Sequence, residues 1–229
     1  MTAAPRFMLD ASAEDPGADV WFAEPAGFTA IPMAALLNHP PDGPGADGLR
    51  AALGPLLDAA PDETARERFV AQLASGQQLL AALCEVGTVH CSIGLHRDDV
   101  ADPGEGGSSG QPLLSFFTLS WRDTAVAPPA VTAARTVTPA GHHTRIEYLD
   151  LPCGPATLSE SVRILTAGTG LPQEPLLQVH AHLPHPDGRR LVVLAMCTMA
   201  VERREDYRRL LHQIAELVSF ENPLDDVSG

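Results

Sequence analysis

The chain contains no lysine and few aromatic residues. All 15 basic residues are therefore arginine, and they face 29 acidic residues, so the formal net charge is -14 at pH 7. Such an excess of negative charge repels polyanions, and it argues against DNA, RNA or an anionic membrane surface as the partner. Arginine without lysine is typical of a GC-rich genome, so an arginine here is weak evidence for phosphate binding.

The sequence also lacks a long hydrophobic run. Its longest apolar stretch, residues 191–201, is much shorter than the roughly 20 residues that a membrane-spanning helix needs. The first 15 residues hold one arginine and a brief apolar cluster, which is too short for a secretory signal. We therefore expect a cytoplasmic protein without a membrane-inserted segment.

Cysteine is scarce and widely spaced, at Cys84, Cys91, Cys153 and Cys197. The absence of a C-x-x-C pair argues against a zinc knuckle and against a thioredoxin-type redox site. Buried free thiols are the ordinary interpretation of such cysteines. We expect no cofactor on this basis.

The hydrophobic fraction of 45% over 229 residues predicts one folded domain, residues 1–229. Within it, three parts offer too few large apolar groups to offset the entropy of ordering. We predict that they are flexible: the N-terminus to about residue 18, the Gly/Ser-rich loop 98–111 and the acidic tail 221–229.

Hydrophobic periodicity predicts the order of the elements. Apolar alternation, or a continuous apolar run, predicts strands at residues 88–95, 113–121, 144–151, 156–165, 176–183 and 189–199. Turns rich in Pro and Gly join the last four of these into two hairpins, and residues 20–31 predict an entry strand or a short hairpin. Helical spacing predicts helices at residues 49–57, 61–87 and 202–220, whereas 127–139 fits either a short helix or an extended segment. The predicted class is α+β, a single antiparallel β-sheet packed between helices.

Three stretches of the second half carry a family resemblance: LDLPCGPATLSESVRI, EPLLQVHAHLPHPDGRRLVVLAMCT and EDYRRLLHQIAELVSF. Together they resemble the PsbP/Mog-like fold, particularly its actinobacterial members, and the likeness covers the C-terminal third. The resemblance implies an antiparallel sheet sandwiched by helices and a role in binding or assembly, with no catalytic residues. Many actinobacterial relatives are exported lipoproteins with an early lipobox cysteine, which this sequence lacks.

Three histidines of the second half suggest a candidate metal site. His180 and His182 alternate along a predicted strand and so share a face, with His185 in the adjoining turn. Two imidazoles about 7 Å apart can ligate a metal ion. No Asp, Glu or Cys completes the set locally, however, and a polar sheet face explains the same pattern.

Arginines suggest a partner-binding surface. Arg203, Arg204, Arg208 and Arg209 concentrate positive charge on the last predicted helix of an otherwise acidic protein. An acidic or phosphorylated partner is one interpretation of this stripe, and an ordinary solvated helix face is the other.

No set of reactive residues supports an enzyme. Ser92 and Ser120 lack the G-x-S-x-G context of a hydrolase nucleophile. His90 and Cys91 are adjacent on a predicted strand, so their side chains point to opposite faces. We therefore expect a non-catalytic protein-interaction module, an adaptor, chaperone-like or assembly factor that binds another protein. A metal-dependent enzyme or metal-binding protein that uses the His-x-His strand is the alternative, and a small-molecule pocket beside the sheet is a third possibility.

Overall fold

The computed structural model describes residues 8–9, 19–25, 27–31, 54, 63, 87–97, 112–138, 143–164 and 175–222. Within these residues nine strands and two helices have described bounds, apart from a 3-10 turn at Val201–Arg203, and Gly54 and Glu63 are also helical. The strands are β1 (Met8–Leu9), β2 (Ala23–Glu24), β3 (Phe28–Ala30), β4 (Thr88–Arg97), β5 (Pro112–Asp123), β6 (Arg145–Leu151), β7 (Gly154–Ile164), β8 (Pro175–Pro184) and β9 (Arg190–Thr198). The helices are α1 (Pro129–Val137) and α2 (Arg204–Glu216).

Seven of the strands form one sheet in the order β3-β4-β5-β9-β8-β7-β6, and β1 pairs with β2 as a separate ribbon. Every neighbouring pair is antiparallel. The α+β class with an antiparallel sheet is therefore confirmed. The long connection between β5 and β6 contains α1, and β9 leads directly into α2.

One face of the sheet, which we call the α2 face, holds the main hydrophobic core. Alternate side chains of the central strands point to this face, where they meet the buried stripe of α2. The stripe appears in the sequence as apolar residues at helical spacing, as predicted. Its core members are Tyr207, Leu211, Ile214, Ala215 and Val218, against Phe117, Leu119, Leu158, Leu177, Val179, Ala181, Leu194 and Met196 of the sheet.

The opposite face, which we call the histidine face, carries the intervening side chains of the same strands. Residues paired directly across an antiparallel ladder share a face, so the register assigns Thr157, Ser159, His180 and His182 to this side. Helix α1 covers part of it, because Thr157 Oγ1 lies 3.4 Å from the carbonyl oxygen of Ala133. The two described helices therefore pack on opposite faces of the sheet.

Both predicted hairpins are present. β6 pairs with β7 from Arg145↔Glu160 to Leu151↔Gly154, and β8 pairs with β9 across the turn that contains Pro186-Asp187-Gly188. Gly188 has a φ of 68°, and a Cβ there would lie 2.8 Å from the Ala127 carbonyl oxygen. Glycine is therefore required at this turn for both conformation and space.

The structure decides or corrects three local predictions. Residues 127–139, for which sequence left two alternatives, form α1, with Pro129 at the first helical position where its missing N–H is tolerated. Alternation along residues 88–95 predicts that Val89 shares a face with Cys91 and Ile93, and this is wrong, because a register shift between Thr88 and His90 leaves Val89 56% exposed. β2 and β3 do not pair with each other as a hairpin, since β2 joins β1 and β3 joins β4.

Several predictions fall mainly on residues that the structure does not describe. These are the helices predicted at 49–57 and 61–87, the loop 98–111, most of the N-terminus to residue 18 and most of the tail 221–229. Among the described residues, no helix is both long enough and apolar enough to cross a membrane.

Candidate functional site

His180 and His182 lie side by side on the histidine face. Their ring centroids are 5.9 Å apart and the rings are nearly parallel, at 16°. In the neighbouring strand β7, Ser159 is directly opposite His180 and Thr157 is directly opposite His182. Each histidine is partly buried, and α1 packs against β8 as well as against β7.

The surroundings of these two rings disfavour the imidazolium form. Burial, together with the positive charge of nearby His143, Arg163 and Arg122, lowers the pKa of His180 from 6.5 to about 4. Burial, together with repulsion from His180, Arg122 and His143, lowers the pKa of His182 from 6.5 to about 3. Both rings are therefore neutral at pH 7, because removal from water and cationic neighbours penalise the charged form.

His185 is not part of this pair. Its ring contacts Trp121 and Phe220, with centroid distances of 5.8 Å and 4.8 Å, on the α2 side of the sheet. Its Nδ1 lies 2.9 Å from Asp187 Oδ2 within the β8–β9 turn. The three histidines predicted as candidate metal ligands therefore do not converge, and no group of three or more His, Cys, Asp or Glu among the described residues is arranged to hold a metal ion.

The histidine face also contains buried polar groups that have no hydrogen-bond partner among the residues that the structure describes. They include Ser159 Oγ, His182 Nδ1 and both ring nitrogens of His143. Thr132 Oγ1, on α1, is enclosed and unpartnered in the same way. A buried polar group that is left without any partner costs roughly 1–3 kcal/mol.

The four arginines predicted as a partner-binding stripe are not equivalent. Arg208 is only 5% exposed and its Nη2 donates to the Glu147 carboxylate on β6. Arg203 and Arg209 both lie within ion-pair distance of Asp206, and Arg204 is exposed. The interpretation of these arginines as a solvated helix face is wrong for Arg208, because its buried guanidinium donates to a carboxylate of the sheet.

Arg208 stabilises the charged form of the Glu147 carboxylate. The hydrogen bond from Arg208 lowers the pKa of Glu147 below 4.5, and the positive charges of Arg208 and Arg145 act in the same direction. Arg145 in turn donates to Glu205 at a distance of 2.9 Å. The two charged side chains of β6 that point to the α2 face, Arg145 and Glu147, therefore both pair with residues of α2.

The outermost strand, β6, exposes apolar side chains that sequence analysis did not select as a site. Ile146 is 42% exposed and Tyr148 is 66% exposed. They lie opposite Ser159 and Thr157 of β7, so both point to the histidine face. Their alternation was visible in the sequence, but alternation does not indicate that the strand would lie at the edge of the sheet.

Among the described residues, His90 and Cys91 do not form a catalytic pair. His90 Nε2 lies 3.2 Å from Glu24 Oε1, and its ring contacts Phe22 and Phe117 on the α2 face. Cys91 points to the other face and is buried. The prediction that the two side chains diverge is confirmed.

None of the protein-family models, curated proteins or solved structures compared with the chain matches it. The functional assignment therefore depends on the geometry of the chain itself.

Proposed function

We propose that the chain is a non-catalytic protein-interaction module, an adaptor, chaperone-like or assembly factor with a PsbP/Mog-like sandwich. Its setting is the cytoplasm of a GC-rich, actinobacterial cell. The observation that supports this proposal best is the pair of exposed apolar side chains on β6, Ile146 and Tyr148. Scattered apolar residues are normal on a protein surface, but two on the same face of one edge strand form a small continuous patch.

The fixed surroundings of this patch favour recognition over chemistry. β6 is held by its ladder with β7, and its α2-side charges are held by Arg208 and Glu205. A strand held in this way presents Ile146 and Tyr148 in a set geometry at little further entropic cost on binding. Aromatic side chains such as Tyr148 are common anchors at protein interfaces.

Site-specific photocrosslinking tests the proposal. In the native host, p-benzoylphenylalanine replaces Tyr148 in one variant and Val126 in another; Val126 is 75% exposed in the loop before α1. We expect a discrete crosslinked partner from position 148 that is absent from position 126. Equal crosslinking from both positions, or none from position 148, contradicts the proposal.

A metal-binding role for His180 and His182 is the second candidate. It is favoured by the shared face of the two rings and by their low pKa, since protons do not compete with a metal ion at pH 7. The pair supplies two ligands, whereas zinc sites in proteins have three or four. Stoichiometric metal in the purified protein that is lost in the double variant His180→Ala, His182→Ala supports this role, and metal-free wild-type protein contradicts it.

A further inference from the structure

The two edge strands of the seven-stranded sheet differ in length. β3 forms one edge and is only three residues long, Phe28–Ala30, whereas β6 forms the other with seven residues, Arg145–Leu151. Very short edge strands are one of the ways in which proteins prevent unwanted pairing. β6 is long enough for several ladder hydrogen bonds, and no described strand pairs with its outer side.

The side chains of β6 divide by face. On the α2 face, Arg145 and Glu147 are already engaged with Glu205 and Arg208. On the histidine face, Ile146, Tyr148 and Asp150 are all exposed. An incoming strand therefore meets, at alternate positions, one acidic side chain and two apolar ones.

We infer that β6 binds an extended segment of a partner protein as an added antiparallel strand, and that this segment has the pattern basic-x-apolar-x-apolar. The antiparallel direction is the commoner one and continues the arrangement of the whole sheet. In that direction the basic residue lies opposite Asp150, and the apolar residues lie opposite Tyr148 and Ile146 in turn. The inference rests on the proposed function and specifies the chemistry of its partner.

A second copy of the chain fits this edge less well. Two-fold pairing of β6 with itself, centred on Tyr148, places Asp150 opposite Ile146, and pairing centred on Glu147 places two glutamates opposite each other. The formal charge of -14 adds repulsion between the two copies. A segment with a basic residue is attracted by the same charge.

Peptide binding to the full chain tests the inference. The probe is a fluorescein-labelled peptide, acetyl-TKTVTVT-amide, in which lysine and the two valines follow the inferred pattern. The matched control, acetyl-TVTKTVT-amide, has the same composition with lysine between the valines. We expect the probe to bind at least about tenfold more tightly than the control in fluorescence anisotropy, since the control places valine opposite Asp150 and lysine opposite Tyr148.

Charge reversal sharpens the test. Asp150→Lys should weaken probe binding about fivefold, and replacing the probe lysine by glutamate should restore it. Tyr148→Lys should weaken binding about tenfold or more, because the probe then loses an apolar contact. Val126→Lys, a change at an exposed loop residue, should leave binding as in the wild type.

Hydrogen exchange identifies where the peptide binds. Bound probe should slow amide exchange in Arg145–Leu151, because the outward N–H groups of β6 become hydrogen-bonded. Equal binding of probe and control, unchanged binding by Asp150→Lys and Tyr148→Lys, or protection elsewhere overturns the inference. So does a dimer in sedimentation that Tyr148→Lys converts to monomer.

Failure of this inference is distinguishable from failure of the proposed function. If position 148 crosslinks a partner but the probe does not bind to β6, the interaction role stands and strand addition is overturned. If position 148 crosslinks no partner, the interaction role itself is contradicted.

Discussion

The two faces of the sheet are built from the same strands, but they bury very different side chains. On the α2 face, β8 contributes Leu177, Val179 and Ala181, each 0% exposed, to the hydrophobic core. On the histidine face, the same strand contributes His180 and His182, which are partly buried and kept neutral. The comparison shows that β8 directs apolar side chains to the α2 face and imidazole rings to the histidine face, so the hydrophobic stabilisation from this strand comes from the α2 face.

The largest expected effect comes from the α2 face. Leu211→Ala removes a side chain that is 0% exposed against the sheet, and we expect a loss of about 2–5 kcal/mol in the free energy of unfolding. Leu217→Ala is the control, because Leu217 is 46% exposed just after α2, and it should change stability by about 0.5 kcal/mol or less. Urea denaturation of both variants measures the difference, and equal effects would contradict the assignment of the core.

The next largest effect is a loss of folding stability at low pH, which His180 and His182 on the histidine face should cause. The folded pKa values of His180 and His182, about 4 and about 3, lie below the ordinary value of 6.5. Below pH 6.5 the unfolded chain therefore binds protons that the folded chain does not, so stability present above pH 6.5 is lost as pH falls toward 4. We expect a loss of about 1–2 kcal/mol per histidine between pH 7.5 and pH 5, measured by urea denaturation.

Two variants test whether these histidines cause the loss. The double variant His180→Gln, His182→Gln should lose clearly less stability between the two pH values than the wild type. Val126→Gln, at a non-titratable and 75% exposed residue of the loop before α1, should retain the wild-type pH dependence. A double variant with an unchanged pH profile would show that the acid sensitivity originates elsewhere.

A smaller effect is expected at the ion pair between β6 and α2. Glu147→Gln leaves the buried Arg208 without its carboxylate partner and should lower the free energy of unfolding by about 1 kcal/mol. The expected loss is small because the Glu147 side chain is 44% exposed and is therefore screened by solvent. Arg208→Met, which removes the buried charge itself, should cost less than Glu147→Gln. Since the pKa of Glu147 is lowered from 4.5, this contribution is present above pH 4.5 and lost below it. Chemical denaturation at pH 7 and pH 3.5 measures both points.

The smallest expected changes in stability come from removing one hydroxyl group on each face of the sheet. Thr198 Oγ1, on the α2 face, donates to the Leu114 carbonyl oxygen at 2.8 Å and accepts from the Ala200 N–H. Thr198→Val should therefore cost about 1 kcal/mol. Ser159 Oγ, on the histidine face, is buried and has no hydrogen-bond partner in the described part of the chain, so Ser159→Ala should be neutral or stabilise by up to about 1 kcal/mol. Thermal unfolding of the two variants should show shifts that differ in size or sign.

Much of the fold in the second half could be predicted from sequence, because its signals are local. Apolar alternation and the turn Pro186-Asp187-Gly188 predict the β8–β9 hairpin, and the spacing of Tyr207, Leu211 and Ile214 predicts the buried side of α2. The register shift near Val89 was not predicted, because a bulge adds one residue to one strand and depends on the partner strand.

The candidate sites were less predictable, because each depends on contacts between distant segments. His180 and His182 were correctly expected to share a face. His185 lies on the α2 side of the sheet instead, because the turn after β8 directs its ring toward Phe220. Arg208 was expected at a helix surface, and only its approach to Glu147, 61 residues away in sequence, accounts for its burial. No pattern in the sequence indicates that Ile146 and Tyr148 lie on an outermost strand.

The sequence by itself determined the α+β class, the hairpins and the sides of the elements that carry apolar groups, since these follow from the 2.0 and 3.6 residue periods of strand and helix. Only the tertiary structure decided the order of the described strands, the place of β6 at the end of that order and the low pKa of the histidine pair. The physical reason is that strand neighbours and burial are set by long-range packing of the whole sheet, which no local period encodes.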